Sequence, residues 1–299
     1  MVINDDESFL RRAIRLAMNG RGSVEPNPMV GCLLVKNGRI IGEGFHAIIG
    51  GAHAEPNALA SCTEDPRGAT AYVTLEPCCH TDKKTPPCAP RLIAAGISRV
   101  VIGCLDPNPK VNGNGVAMLR EAGIHVDRSP LESACRQLIA PFLLREQSRR
   151  PYITLKWAQT ADGAVAGANG KPIQITDDRS TRIVHELRSR CDAIVVGINT
   201  VLSDDPFLTA RGVKTQRPLL RYVLDRSLRI PLDSRLVKSA EEFPLIVACR
   251  NASGEKAAEL TDRGVTVIQA PDFEAVLRDQ FNRGVTHVLV EPGPTLAAA

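Results

Sequence analysis

Residues 76–88 read Glu-Pro-Cys-Cys-His-Thr-Asp-Lys-Lys-Thr-Pro-Pro-Cys, and the upstream residues 53–55 read His-Ala-Glu. Together they offer one imidazole and two thiolates, a donor set that suits zinc, from His53, Cys78 and Cys88. Such a set leaves a fourth tetrahedral position for water, whose pKa zinc lowers toward about 7, giving hydroxide. Glu55 can lie beside this metal and pass a proton from the water to a leaving amine. The pattern therefore predicts a catalytic zinc centre.

Two other interpretations of the cysteine-rich stretch stay open. In one, a structural zinc site takes Cys79 or His80 as its fourth ligand, and in the other the thiols are buried without a metal. A glutamate next to the ligands has no purpose in a closed structural site, so Glu55 favours the catalytic interpretation. A His-x-Glu followed by Pro-Cys and a further Cys is also the signature of zinc deaminases that act on nucleobases.

Hydrophobic periodicity outside this stretch predicts an α/β protein. In the first half we expect a hairpin around Asn37-Gly38, further strands and several helices, the helices over residues 9–17, 53–62, 88–95, 116–121 and 131–145. A polar, charged stretch over residues 145–151 marks a boundary, which gives predicted domains 1–147 and 151–299. The second half is expected to contain helices over 179–190, 254–262 and 274–282, and strands over 152–157, 193–197, 219–224, 245–248, 265–268 and 288–291.

Composition and charge limit the class of protein. The chain has 299 residues, of which 43% are hydrophobic and 23% charged, and this excludes a disordered chain, collagen or a coiled coil. A net charge of +4 suits an anionic small molecule better than a nucleic acid, and only 4% of residues are aromatic, too few for a base-stacking groove. No apolar run approaches the roughly 20 residues of a membrane helix. We therefore expect no nucleic-acid partner, no membrane segment and no signal peptide.

The nine cysteines predict a cytoplasmic protein with reduced thiols, because their number is odd and no secretory signal is expected. Their distribution is uneven along the chain. Only Cys191 and Cys249 lie after residue 140, so any thiol chemistry belongs to the first half.

Beyond these patterns, the chain resembles the bifunctional deaminase–reductase family of riboflavin biosynthesis over nearly its whole length. The first half carries the words Pro26-Asn27-Pro28-Met29-Val30-Gly31, Gly42-Glu43-Gly44-Phe45-His46, Thr85-Pro86-Pro87-Cys88 and Asp106-Pro107-Asn108-Pro109-Lys110-Val111-Asn112-Gly113. The second half carries Val184-His185-Glu186-Leu187-Arg188, Leu202-Ser203-Asp204-Asp205-Pro206, Leu208-Thr209-Ala210-Arg211 and Glu291-Pro292-Gly293-Pro294-Thr295-Leu296. The resemblance implies a cytidine-deaminase-like three-layer domain followed by a dihydrofolate-reductase-like α/β domain that is incomplete at its C-terminus.

For the first half, the resemblance implies hydrolytic deamination of a diaminopyrimidinone that carries a ribosylamino 5-phosphate. Water replaces the 2-amino group, and ammonia leaves. The residues implied to line this substrate pocket are Asn27, His46, His80, Lys84, Asp106 and Asn108. The loop from Cys78 to Cys88 is one residue longer than the family pattern. Lys84 lies in this loop, so the longer loop affects how its position is matched to the family.

For the second half, the resemblance implies NADPH as hydride donor and reduction of the ribosyl group to ribityl. The residues implied to face NADPH are Gln159, Thr200, Asp204, Gly293, Pro294 and Thr295. Those implied to face the reductase substrate, with the arginines near its phosphate, are Arg188, Leu208, Arg211 and Glu291. A strand that ends in glycine before a helix start offers free backbone N–H groups to phosphate, as at Gly197 and Gly293.

Several departures from the family pattern concern the reductase half. Pro172 and Gln174 occupy positions where the family has a serine and a large aromatic residue, and the chain stops at Ala299. The alternative hypothesis is therefore a deaminase whose reductase half is inactive or truncated and acts as a scaffold. With a full reductase domain we expect a homo-oligomer. A nucleic-acid deaminase and a non-enzymatic zinc-binding protein are the remaining hypotheses.

Overall fold

The computed structural model describes residues 5–82, 85–164, 173 and 175–297. The predicted site residue Lys84 and the two departures at Pro172 and Gln174 lie outside the described residues. Contacts between Cα atoms divide the chain into two compact units, Met1–Ser148 and Arg149–Ala299. Within the described ranges, every helix is too short or too polar to cross a membrane.

The first unit is built around a mixed sheet with the strand order β2-β1-β3-β4-β5. Its strands are β1 (Gly31–Lys36), β2 (Arg39–Phe45), β3 (Thr70–Val73), β4 (Arg99–Ile102) and β5 (His125–Arg128). Strand β1 is antiparallel to both of its neighbours, whereas β3, β4 and β5 are parallel. Asn37 and Gly38 both have positive φ, as a two-residue type I′ turn requires, so the predicted hairpin is confirmed.

Helices cover both faces of this sheet and make it the middle of three layers. They are α1 (Asp5–Ala17), α2 (Ala54–Ala60), α3 (Cys88–Ala94), α4 (Asn114–Glu121), α5 (Glu132–Leu138) and α6 (Ala140–Ser148). One apolar cluster joins the sheet to α2, α3 and α4 through residues such as Ala58, Leu92 and Leu119. A second cluster joins the other face to α1, α5 and α6 through residues such as Leu10 and Leu143.

The prediction of one continuous helix over residues 131–145 is wrong. The structure has two helices there, α5 and α6, which are separated at Ile139. Pro141 accounts for the break, because it has no N–H and its ring would clash with the carbonyl of Gln137 in an uninterrupted helix.

Close packing of α2 on β2 fixes the start of α2, where His53 and Glu55 lie. A Cβ atom on Gly44 would lie 2.3 Å from the backbone nitrogen of Ala58 and 2.5 Å from the carbonyl oxygen of Ala54. Glycine is therefore required on this strand for the helix backbone to approach so closely. The side chain of Asn57 also donates to the carbonyl of Phe45 at 2.8 Å, which holds α2 against the end of β2.

The second unit contains a parallel sheet with the strand order β10-β9-β8-β7-β11-β6. Its strands are β6 (Tyr152–Leu155), β7 (Ala193–Gly197), β8 (Leu220–Leu224), β9 (Leu245–Cys249), β10 (Thr266–Gln269) and β11 (His287–Val290). The predicted strands of this half are all found, although β6 ends at Leu155, before the predicted end at residue 157. Apolar clusters cover both faces of the sheet.

The helices of this unit are α7 (Asp178–Ser189), α8 (Ile198–Asp204), α9 (Arg235–Lys238), α10 (Glu255–Thr261), α11 (Phe273–Asn282) and α12 (Pro294–Ala297). Periodicity predicts α7, α10 and α11, and the sequence also indicates helix starts after Gly197 and Gly293, where α8 and α12 begin. Helix α9 was not predicted. Strands β8, β9 and β10 follow β7 in one direction, whereas β11 lies on its other side. The order therefore reverses between β7 and β11, and ligands of open α/β sheets bind outside the carboxyl ends of strands at such a point.

Candidate active site

The predicted zinc ligands His53, Cys78 and Cys88 lie together in the first unit. His53 directly precedes α2, Cys78 follows β3, and Cys88 is the first residue of α3. One ligand atom from each residue lies within 4.8 Å of the others. The imidazole Nδ1 is 3.6 Å from the Cys78 sulfur and 3.3 Å from the Cys88 sulfur. The structure thus brings together the donor set that the sequence predicted.

Hydrogen bonds orient these donors for a cation. The Nε2 atom of His53 lies 3.2 Å from Thr85 Oγ1, and we assign the ring proton to it, which leaves the Nδ1 lone pair facing the sulfurs. The backbone N–H of Cys88 donates to the Cys78 sulfur at 3.4 Å. The neighbouring Cys78 thiol, burial and Glu55 raise the pKa of the Cys88 thiol. A divalent cation would relieve this crowding of negative charge, so the residues fit zinc.

Glu55 lies in the first turn of α2 with only 3% of its surface exposed. Burial, and then the negative charge of Cys78, raise the pKa of Glu55 to about 7. A carboxyl with a pKa near neutrality can both accept and donate a proton, which suits a group that shuttles protons. Its position beside Cys78 and Cys88 places it at the metal centre.

A cavity of about 420 Å³ opens onto the metal centre. The residues that line it include His53, Glu55 and Cys78 together with five of the predicted substrate residues, Asn27, His46, His80, Asp106 and Asn108. Thr85, Phe142 and Glu76 also line the cavity and were not singled out from the sequence. A cavity of this size, with polar side chains converging on it, is typical of small-molecule binding.

His46 is neutral and connects two other residues of the cavity. Its Nδ1 lies 3.0 Å from the carbonyl oxygen of Ala52, and its Nε2 lies 3.4 Å from Asn27 Nδ2. Burial lowers the pKa of His46, with the neighbouring His53 as a smaller cause. We therefore assign its proton to Nδ1, so that His46 donates to Ala52 and accepts from Asn27. This arrangement fixes which end of the Asn27 amide is free to face a ligand.

Asp106 and Asn108 stand on the loop that follows β4. The Asp106 carboxylate accepts the Asn108 N–H at 2.8 Å, and Asn108 Oδ1 accepts the Lys110 N–H at 3.0 Å. Burial raises the pKa of Asp106 to about 6. Across the cavity, the buried Nδ1 of His80 has no hydrogen-bond partner among the described residues. A buried polar atom of this kind calls for a ligand or a water.

In the second unit, the end of β7 and the end of β11 bring Thr200 and Gly293 together. A Cβ atom on Gly293 would lie 3.5 Å from Thr200 Oγ1, and one on Gly197 would lie 4.0 Å from Leu296 Cβ. Helices α8 and α12 begin directly after these glycines, and Thr295 is in the first turn of α12. Free backbone N–H groups at this crevice suit the phosphates of a dinucleotide such as NADPH.

Two of the remaining predicted cofactor residues, Asp204 and Gln159, make hydrogen bonds to near neighbours in the sequence. Asp204 ends α8, is exposed and accepts from Ser203 Oγ at 2.7 Å. Gln159 accepts the Trp157 indole N–H at 3.1 Å. Pro294 is the first residue of α12.

The predicted substrate residues Arg188 and Glu291 contact each other. The guanidinium donates from Nε and Nη2 to the two carboxylate oxygens at 2.8 and 2.9 Å, and from Nη1 to the Thr209 carbonyl at 3.2 Å. Leu208, which is buried and has a φ of 54°, directly precedes Thr209 in the chain. Arg211 is exposed, and its Nη1 donates to Thr209 Oγ1 at 3.2 Å.

Fold and site together define a zinc-dependent deaminase of the cytidine-deaminase type, joined to a second unit built on a parallel sheet. Comparison with protein families agrees with this class. Residues 3–104 match the cytidine and deoxycytidylate deaminase zinc-binding region, and residues 151–299 match the RibD C-terminal domain. The chain belongs to the RibD family of riboflavin biosynthesis proteins.

The relatives match along nearly all of this chain. Riboflavin biosynthesis protein RibD of Aquifex aeolicus is 42% identical over 296 residues, which are 98% of this chain and 82% of the relative. RibD of Escherichia coli is 39% identical over 98% of this chain and 83% of its own length. These matches confirm the resemblance drawn from the sequence and the predicted α/β fold class.

Solved structures of the family have the same fold. A crystal structure from Thermotoga maritima, described as a diaminohydroxyphosphoribosylaminopyrimidine deaminase/5-amino-6-(5-phosphoribosylamino)uracil reductase, matches with a TM-score of 0.88 and 41% identity. It covers 98% of this chain and 82% of the matched chain. Acinetobacter baumannii RibD matches with a TM-score of 0.86, 37% identity and the same two coverages.

Proposed function

We propose that this protein catalyses two successive steps of riboflavin biosynthesis. The first is hydrolytic deamination of 2,5-diamino-6-ribosylamino-4(3H)-pyrimidinone 5′-phosphate, and the second is NADPH-dependent reduction of the product's ribosyl group to ribityl. The observation that carries this proposal is the His53, Cys78 and Cys88 cluster, with donor atoms within 4.8 Å and buried Glu55 beside it, in a member of the RibD family.

In the deaminase step, His53, Cys78 and Cys88 would hold zinc, which when bound would supply Lewis acidity to the water that attacks C2 of the pyrimidinone. Glu55 takes a proton from the attacking water and delivers it to the 2-amino group, which leaves as ammonia. The bond from C2 to the amine nitrogen breaks as the bond from C2 to oxygen forms. Burial of Glu55 favours this role, because it raises the pKa of the carboxyl to about 7.

The cavity residues hold the pyrimidinone and its phosphorylated sugar. Asn27 and Asn108 read the edge of the ring, and neutral His46 fixes the Asn27 amide. The Nδ1 of His80, which has no hydrogen-bond partner within the described part of the chain, is available to the ligand, and Asp106 binds ribose hydroxyls. Lys84, which lies outside the described residues, is proposed to meet the 5′-phosphate.

In the reductase step, NADPH when bound would supply a hydride to the sugar, and the second added hydrogen would come as a proton from solvent. The residues proposed to hold NADPH at the crevice between β7 and β11 are Gln159, Thr200, Asp204, Gly293, Pro294 and Thr295. The reductase substrate is proposed to meet Arg188, Leu208, Arg211 and Glu291. Arg188 is already engaged by Glu291 and Thr209, so exposed Arg211 is the arginine with a guanidinium available for the phosphate.

Mass spectrometry of the products tests the proposed function. Zinc-loaded protein is incubated with the diaminopyrimidinone ribosylamino phosphate and NADPH. We expect a product with oxygen in place of the amine and with two added hydrogens. Exchange of the amine without added hydrogens would show a deaminase with a silent reductase half, and an unchanged substrate would contradict the riboflavin assignment. Cytoplasmic location and a homo-oligomeric state stay predictions.

A further inference from the structure

Glu76 is a buried carboxylate that takes no part in the proposed chemistry and nevertheless lines the substrate cavity. It accepts backbone N–H groups from three residues that lie much further along the chain. Oε2 accepts from Asp106 at 3.2 Å and from Gly113 at 3.0 Å, and Oε1 accepts from Val116 at 3.1 Å. A carboxylate with this many backbone donors is strongly oriented, because hydrogen bonds to charged groups are stronger than neutral ones.

These bonds hold the loop that carries Asp106 and Asn108 at both of its ends. The loop between β4 and α4 comprises residues 103–113; Asp106 lies near its start, and Gly113 ends it directly before α4. Gly113 provides no side-chain cap for α4, so Glu76 satisfies the free N–H of Val116 in its place. The negative charge also lies at the favourable end of the helix dipole.

Close backbone packing joins the start of α4 to the segment that leads to the metal ligand Cys78. A Cβ atom on Gly115 would lie 2.2 Å from the carbonyl oxygen of Pro77 and 3.1 Å from a carboxylate oxygen of Glu76. Glycine is thus required for α4 to lie directly on residues 76–78. The loop and the metal-binding segment are therefore fixed to each other through Glu76.

We propose that Glu76 is a positioning residue of the deaminase, which sets Asp106 and Asn108 at the correct distance from the metal centre. The inference rests on the proposed deaminase function and extends it to a residue that touches no reacting atom. Glutamine has the same size, but it has one acceptor oxygen and would turn N–H groups toward backbone N–H donors. The loop would then be released, while His53, Cys78, Cys88 and Glu55 stay in place.

The test compares Glu76→Gln with the wild-type chain in the zinc-loaded protein. We expect the KM of the deaminase substrate to rise at least about tenfold, because the substrate meets a loosened loop. We expect kcat to change little, zinc content to stay at the wild-type level, and NADPH-dependent reduction to be unaffected. Glu121→Gln, at the exposed last residue of the same helix, is the matched control and should change none of these.

A second variant and a substrate-free measurement complete the test. Gly115→Ala should raise the same KM, because its methyl group forces α4 away from Pro77. In Glu76→Gln without substrate, amide hydrogen exchange at Asp106, Gly113 and Val116 should accelerate. Unchanged exchange, an unchanged KM, or loss of zinc and of the folded state in Glu76→Gln would overturn the proposal. Hydrogen exchange needs no turnover. It therefore tests the role of Glu76 independently of whether the proposed function is correct.

Discussion

Two buried glutamates of the first unit, Glu55 and Glu76, have different surroundings that suit them to different roles. Glu76 is surrounded by backbone N–H donors, which fix a carboxylate in place. Glu55 instead has the thiols Cys78 and Cys88 as neighbours, and burial raises its pKa to about 7. The first arrangement suits a structural acceptor and the second suits a group that exchanges protons.

Substitution of Glu55 by glutamine should separate proton transfer from metal binding. Glutamine keeps the shape of the side chain and cannot carry the proton, so we expect kcat for ammonia release to fall about 10²–10⁴-fold. Zinc content by elemental analysis should be unchanged, since the ligands are His53, Cys78 and Cys88. Reduction of the deaminated product by the same sample is the internal control. Turnover that survives the substitution would remove Glu55 from the mechanism.

The sequence could predict that His53, Cys78 and Cys88 form one cluster of donors, because their types and spacing lie within two short stretches. It could not single out Glu76, although this residue stands in the same stretch, because its partners lie 30, 37 and 40 residues further along. Arg188 and Glu291 are 103 residues apart in the sequence, so no local pattern predicts that they form a pair. Residue types and spacing predict chemistry, whereas the partner of a buried charge depends on the completed fold.

At the scale of elements, periodicity predicted the strands and most helices, but it did not predict α8, α9 and α12. The buried strands β7 and β9 are continuous apolar runs, which are easily recognised. Helix α8 has the sequence Ile-Asn-Thr-Val-Leu-Ser-Asp, in which weak helix formers predominate, so only the strand-ending Gly197 indicates where it starts. Helix α8 begins directly after Gly197, the last residue of β7.

Helix α7 is tied to the end of β11 by Arg188 and Glu291, whose side chains are only 11% and 15% exposed. Arg188→Ala leaves the carboxylate without its partner, so we expect the second unit to lose about 3 kcal/mol of unfolding free energy. Arg182→Ala is the control on the same helix, because its ion pair with Glu186 is exposed and should contribute less than about 1 kcal/mol. Denaturant unfolding measures both, and equal losses would contradict a structural role for the pair.

At the scale of the whole molecule, each unit has its own sheet, its own apolar clusters and its own candidate site. The first unit has a mixed sheet and the cluster proposed to hold zinc, and the second has a parallel sheet and the crevice proposed to hold NADPH. The zinc donors all lie between residues 53 and 88, within the first unit. Deamination therefore depends on zinc and reduction depends on NADPH. Each activity can be measured in the same intact chain while the other is removed.

Removal of zinc should silence one activity of the chain and spare the other. We expect a chelator to abolish ammonia release from the diaminopyrimidinone substrate, because water then lacks the Lewis acid that activates it. Oxidation of NADPH by the deaminated product should keep its wild-type rate, measured by the loss of NADPH absorbance. Re-addition of Zn²⁺ should restore deamination, as expected when the ligands remain able to bind. A parallel fall of both rates would mean that the metal also supports the reductase unit, since metal binding and folding are coupled where a site is structural.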